Sequence, residues 1–234
     1  MKTKLILSLF SLCLLASWHW LSASAGANIH YVAPAADCGS ATPCYSDVQA
    51  AVDAASAGDT VKIAAGTYTI NVAPPTPVVS LTQPINLLGG FTKDERESAA
   101  INLTETFLDA LGVYIRRVLD VAVNETDAFT IAGLTIRGGN GDGLINFDGG
   151  GILWQAGNGT LRDNRFVDNN AQHGGGLYLV QGNVAIHDNS FEGNNAERGA
   201  GLWVNGASHI PIYDNLFTDN TARTGAAAKL TGQV

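Results

Sequence analysis

Cysteine is scarce in this chain, with three residues among 234, at positions 13, 38 and 44. Two thiols with no histidine beside them do not fill a zinc shell, which weighs against a structural metal site at 38 and 44. Basic side chains are also few: 13 Lys and Arg stand against 21 Asp and Glu, a net charge of −8. A surface this acidic repels phosphate backbones, and no basic patch with interleaved aromatics is present, so nucleic acid is not an expected partner. Long apolar runs are missing as well. The longest, Leu5 to Ala16, falls short of the ~20 residues that span a bilayer, and no later segment could cross one.

That apolar run has a different reading. Lys2 and Lys4 precede it, and the small residues Ala23-Ser24-Ala25 follow, before Gly26. Basic start, apolar centre and small-residue cleavage site describe a secretory signal peptide over 1–25, with an uncleaved anchor as the alternative. Cys13 follows Leu12 rather than a small residue, which argues against lipid modification. Loss of Lys2 and Lys4 takes the net charge from −8 to −10. The expected location is secreted or at the cell surface, and in that oxidising setting Cys38 and Cys44 read as a disulfide closing a short loop.

What the chain has in abundance is glycine, 27 residues, set in a repeat. Gly149-Gly150-Gly151-Ile152, Gly174-Gly175-Gly176-Leu177 and Gly199-Ala200-Gly201-Leu202 open successive copies, and a fourth opens at Gly225. The steps are 25, 25 and 26 residues. Within the copies, Asp163-Asn164-Arg165-Phe166, Asp188-Asn189-Ser190-Phe191 and Asp214-Asn215-Leu216-Phe217 recur, each followed three residues later by Asn169, Asn194 or Asn220. A fixed period of this length means stacked supersecondary units, and short apolar runs between Gly, Asn, Asp and Thr make those units all-β. Ala128 to Asn140 reads as a degenerate earlier copy, with Ile131 in register with Leu161 and Ile136 with Phe166. Regular coils therefore run over 128–234, irregular ones over 71–127 and a cap over 26–70, in one elongated domain.

The cap carries the one convincing helix. Ser46 and Gln49 suggest a capping box, Val48, Ala51, Val52 and Ala55 share an apolar face, and Gly58 ends the element. Strands follow at Thr60 to Ile63 and Gly66 to Ile70, and again at Val79 to Thr82 and Ile85 to Leu88, with Gly89-Gly90 expected to turn the chain. Residues 93–98 read as a polar loop. Residues 45–69, YSDVQAAVDAASAGDTVKIAAGTYT, resemble the opening segment of pectin-lyase-like proteins, pectin methylesterases among them. That resemblance implies a right-handed parallel β-helix whose first coil is plugged by the amphipathic helix. A cap is physically required there, since a solenoid's end exposes apolar side chains and unpaired strand edges.

Stacked coils place matched residues ~4.8 Å apart. Phe166, Phe191 and Phe217 then form one inward column, Leu161, Ile186 and Ile212 another, and Ile152, Leu177 and Leu202 a third. Asn169, Asn194 and Asn220, with Asn164, Asn189 and Asn215, mark bends where stacked carboxamides bond along the axis and left-handed backbone is tolerated. The glycine blocks mark a third bend, one no side chain could share. The Gly-Gly-(Ile/Leu) and Phe-x-x-Asn motifs resemble the repeats of polymorphic outer-membrane proteins, exported β-helix domains, although Ala200 and Ala226 interrupt the first motif. Residues 186–194, IHDNSFEGN, resemble carbohydrate-binding and sugar-hydrolase β-helix repeats.

Three features could carry function. Alternation along the strand places Ile152 and Trp154 inward and Leu153 outward. The outward column Leu153, Tyr178, Trp203 and Lys229 is either an exposed aromatic platform for sugar rings or ordinary strand packing. Asp163, Asp188 and Asp214 form a second column, which a cation such as calcium could bridge or which simply caps each bend. The stretch Gly138-Gly139-Asn140-Gly141-Asp142-Gly143, reaching to Asp148, is similar to a calcium-binding nonapeptide but places Asp142 one position early, and a flexible glycine loop explains it equally.

No cofactor is expected beyond that possible calcium, and no catalytic set assembles. His173 and His187 occupy different columns without a partnered Ser or Cys, and Arg162, Arg165, Arg198, Arg223 and Lys229 share no column with matched acids on the same strand. The expectation is a non-catalytic extracellular module for polysaccharide or cell-surface glycan, with a polysaccharide lyase or glycoside hydrolase acting on acidic polysaccharide as the alternative. The fourth copy reaches only one strand before Val234, so the chain is expected to be part of a longer β-helix or to pair end to end through that coil.

Overall fold

The computed structural model describes residues 26–70, 73, 75–92, 106–112, 115–124, 126–141, 148–206 and 210–231. The signal peptide, the loop at 93–98 and Asp142 lie outside the described residues. The chain winds as a parallel β-solenoid, and every pair of neighbouring strands in its sheets is parallel. The first sheet holds eight strands, from Cys44–Tyr45 and Ile29–Val32 through Thr60–Ala64 and Asn86–Phe91 to Ile212–Tyr213. The second holds six, from Gly66–Tyr68 to Leu216–Thr218.

The third sheet, on which the candidate site lies, also has six strands. They are Val79–Leu81, Leu119–Ala122, Ile152–Ala156, Leu177–Leu179, Leu202–Asn205 and Ala228–Thr231. A fourth sheet of three strands, Asn170–His173, Asn195–Arg198 and Thr221–Thr224, appears only in the regular coils. Each regular coil thus has four strands. The residues after each Phe-x-x-Asn corner pair with their copies instead of forming a loop.

The expected ladders form in register. Ile152 pairs with Leu177 and Leu177 with Leu202, Leu161 with Ile186, and Phe166 with Phe191. The Phe rings stack 4.5 and 4.8 Å apart, which is the strand spacing, so one geometry satisfies backbone pairing and ring contact together. The degenerate copy is likewise in place, with Ile131 opposite Leu161 and Ile136 opposite Phe166.

The bends divide labour in a way the sequence reading assigned to one residue. The left-handed position is held by the aspartates, with φ of 54° at Asp163 and Asp188 and 53° at Asp214, and by Asp168 and Asp219 at the second corner. The asparagine that follows turns inward. Asn169 is fully buried, its Nδ2 donates to Ile136 O at 2.9 Å and Asn194 Oδ1 at 3.0 Å, and its Oδ1 accepts from Gly139 N at 2.9 Å. Asn164, Asn189 and Asn194 repeat the pattern. A short carboxylate tolerates the left-handed backbone in water, while only a carboxamide supplies donor and acceptor together inside the solenoid.

Three other expectations need correction. The helix is Val48–Ala54, capped by Asp47, whose Oδ1 accepts from Ala50 N at 2.9 Å, and not by Ser46. Gln49 serves no capping box: its Oε1 accepts from Ser80 N at 2.7 Å and its Nε2 donates to Ser80 O at 3.3 Å, so its amide stands in for a neighbouring strand at Val79–Leu81. Ala55 ends the helix and Gly58 lies in the turn beyond. Gly89-Gly90 does not turn the chain but sits within strand Asn86–Phe91, where a Cβ at Gly89 would lie 2.4 Å from Gly133 O. Finally, the glycine bend does admit a side chain, since Ala200 sits there fully buried.

The helix's apolar face, Val48, Ala51, Val52 and Ala55, joins the main core at the N-terminal end. Beside it the Cys38–Cys44 disulfide is formed, with Cα atoms 5.8 Å apart. Asp59 ties this end together, accepting from Asn28 N, Ser56 N and His30 Nε2. Its burial alone would raise its pKa, but those hydrogen bonds and the imidazole hold the carboxyl below the usual range.

Candidate binding groove on the third sheet

The outward column of the third sheet is longer than the repeat revealed. Register pairs Ser80 with Asp120, Asp120 with Leu153, Leu153 with Tyr178, Tyr178 with Trp203 and Trp203 with Lys229. Alternation aims Leu153, Tyr178 and Trp203 away from the main core, as expected. They are not an exposed platform, however, being only 3, 7 and 7% accessible. They form a small apolar cluster of their own, with Val180 packed against it. Tyr178 and Trp203 rings lie 5.0 Å apart, and Lys229 Nζ stands 5.6 Å over the indole. The strand-packing reading thus describes the rings themselves.

A second column runs along the corner before this sheet. Asp148 pairs with His173 and His173 with Arg198, at 25-residue steps that the sequence carried but that no glycine or aromatic marked. A single acid, a histidine and an arginine thus share a column. His173 Nδ1 lies 2.6 Å from Asp148 Oδ1, and the imidazole meets Trp203 edge-on at 4.1 Å. Burial raises the Asp148 pKa above its usual value, and His173 and Arg117 only partly oppose that rise.

The two columns border a groove of about 500 Å³, within the range of small-molecule sites. Leu153, Tyr178 and Val180 supply its apolar wall, and Asn124, Asp148, Gln155 and Gln181 its polar groups. Gln155 Nε2 donates to Asp120 Oδ1 at 2.6 Å. Arg117 Nη1 donates to Asp120 Oδ2 at 2.9 Å and Arg117 Nη2 to Asp148 O at 3.1 Å. Asn205 Nδ2 donates to the Tyr178 hydroxyl at 2.8 Å. Burial raises the Tyr178 pKa, the Asn205 bond opposing it and the Asp148 charge adding to it.

Sequence reading missed Arg117, Asp120, Asn124, Gln155 and Gln181. Asp120 precedes Leu153 by 33 residues rather than 25, so the repeat could not find it. Gln155 stands two residues beyond Leu153 and was within reach of strand alternation.

The aspartate column does not converge. Asp163 pairs with Arg162 and Asp188 with His187, and among the described residues no group of three or more His, Cys, Asp or Glu is placed to hold a metal ion. Asp163, Asp188, Asp214 and Asp148 are not drawn into such a group, and Asp142 is outside the described residues.

The Asp148 pKa fixes the sign of a pH effect. A carboxyl whose pKa is raised on folding contributes stability below its unfolded pKa and loses it as pH rises through the folded value. Asp148→Asn, uncharged throughout, is expected to unfold at a higher temperature than the wild type at pH 7, with the gap closing toward pH 3. Thermal unfolding of both proteins across that range checks it, and a less stable variant at pH 7 would contradict it.

Residues 111–233, more than half of the chain, match the family model described as right handed beta helix region. No curated protein and no solved structure matches the chain significantly.

Proposed function

The chain belongs to the right-handed β-helix family, and on that premise we propose that it is a non-catalytic module, secreted or at the cell surface, that binds glycan in the groove beside Leu153 and Tyr178. The observation that carries this reading is the groove's composition. A half-apolar wall containing a tyrosine faces three amide side chains and one carboxylate, a set that suits a sugar ring with an apolar face and a hydroxyl rim. The buried rings of Tyr178 and Trp203 shape that wall. Residues 1–25 support export by their basic start, apolar run and small-residue site. No helix of the described residues is long and apolar enough to cross a membrane.

One observation favours a second reading, a polysaccharide lyase or glycoside hydrolase. Asp148, with its raised pKa and its contact with His173, has the environment of a general acid or base. Incubation with a polysaccharide panel separates the two. The binding module retains glycan without new reducing ends or unsaturated products, whereas an enzyme releases one or the other. Gln155→Ala combined with Gln181→Ala is expected to weaken glycan retention about tenfold or more, two lost hydrogen bonds of ~1 kcal/mol each setting the scale. Unchanged retention in this variant would remove the groove from the account.

A further inference from the structure

We propose that the groove selects glycans by charge, taking an amino sugar in preference to a neutral one and excluding uronate chains. The inference rests on the glycan-binding reading above and adds the ligand class. Among the described residues lining the groove, Asp148 is the one that is charged. Its Oδ1 is engaged by His173, and among the described residues no donor meets its Oδ2. The nearest guanidinium acts on it only through space, because Arg117 spends Nη1 on the Asp120 carboxylate and Nη2 on the Asp148 backbone oxygen.

The other cations nearby belong to later coils. Arg198 lies one step beyond His173 in the corner column, and Lys229 covers the indole of Trp203. Neither lines the groove. A uronate or sulfate in the groove would meet the partly buried Asp148 carboxylate and, among the described lining residues, no lysine or arginine to receive it, and like charges at such distance repel strongly outside bulk water. An ammonium on a hexosamine ring reverses the sign. It would donate to Asp148 Oδ2 in a charge-assisted hydrogen bond while the ring's apolar face lay against the groove's apolar wall and its hydroxyls met Gln155, Gln181 and Asn124. The whole chain's net charge of −8 pushes the same way at long range.

The test is calorimetric titration of the full chain with three oligosaccharides of equal length: a glucosamine oligomer, its N-acetylated form and a galacturonate oligomer. The glucosamine oligomer is expected to bind roughly tenfold tighter than the N-acetylated one, the scale of a single charge-assisted bond, and the galacturonate oligomer not at all. Asp148→Asn is expected to bring the glucosamine-to-acetylated ratio down to about one. Tightest binding of galacturonate, or a glucosamine preference that survives Asp148→Asn, would overturn the charge assignment while leaving glycan binding intact. Failure of all three oligomers to bind would instead overturn the glycan reading itself, and this inference with it. The exposed Gln181→Ala variant provides a check that does not touch Asp148: it should weaken all binding ligands alike and leave their ratio unchanged. A ratio that moves with Gln181 would also overturn the assignment.

Discussion

Asn169→Ala is expected to lower the unfolding free energy by roughly 3–5 kcal/mol, since buried partners left unmet cost about 1–3 kcal/mol each. Two groups lose this partner at once, Ile136 O and Gly139 N, while Asn194 Oδ1 is left with the Asn169 backbone N–H alone. Water cannot replace the carboxamide at a fully buried position without opening the corner. At ~2–4 °C per kcal/mol for a chain of this size, the unfolding midpoint should fall by about 10 °C. Asn169→Asp is expected to do at least as much harm, although it keeps the shape. A carboxylate offers no donor to Ile136 O or Asn194 Oδ1 and brings a charge into the core. By contrast, Asp168→Asn, at the exposed left-handed position one residue earlier, should shift the midpoint by little, since asparagine tolerates the same backbone. Thermal unfolding of the three variants separates the roles of two adjacent residues that sequence alone makes equivalent.

Gly139→Ala is the second large effect. Gly139 occupies the next position of the asparagine column, yet a Cβ there would lie 1.9 Å from Gly150 O and 2.5 Å from Gly150 C. Those are backbone atoms of the glycine bend, with no rotamer to yield, so that bend and the asparagine corner must move apart. A loss above about 3 kcal/mol is expected, in the range of the most severe point substitutions. Gly206→Ala provides the comparison. It has positive φ, 78°, but open space around it, so backbone strain of about 1–2 kcal/mol is the whole cost. Comparable losses in both variants would mean that close approach at Gly139 does not hold the corner.

How much of this could be read from the sequence depended on whether a feature repeated. The Phe166, Phe191 and Phe217 ladder, the asparagine ladders and the inward aim of Ile152 and Trp154 all follow from a 25-residue period and strand alternation. Features fixed by competition between neighbours did not. Asp47 rather than Ser46 caps the helix because it directly precedes Val48, and Gln49, one position too early for a capping box with Asp47, pairs instead with the edge at Ser80. Asp rather than Asn takes the left-handed corner because only the carboxamide can be satisfied inside. The groove was legible in its outward column, Leu153, Tyr178 and Trp203, but not in its exposure, since accessibility depends on what covers a strand rather than on which way it points. Asp120 and Arg117 lay in coils of irregular length, where no period could align them, and the step from Asp148 to His173 to Arg198 joins three different residue types.

The central claim is that function resides in the groove beside Leu153 and Tyr178. Chemical-shift mapping of the labelled protein during titration with a retained glycan tests it most directly. Shifts concentrated at Leu153, Gln155, Tyr178, Val180 and Gln181, with the His187 and Tyr213 face of the first sheet unmoved, are the expected result. Shifts centred on that opposite face, or spread evenly along the solenoid, would contradict it.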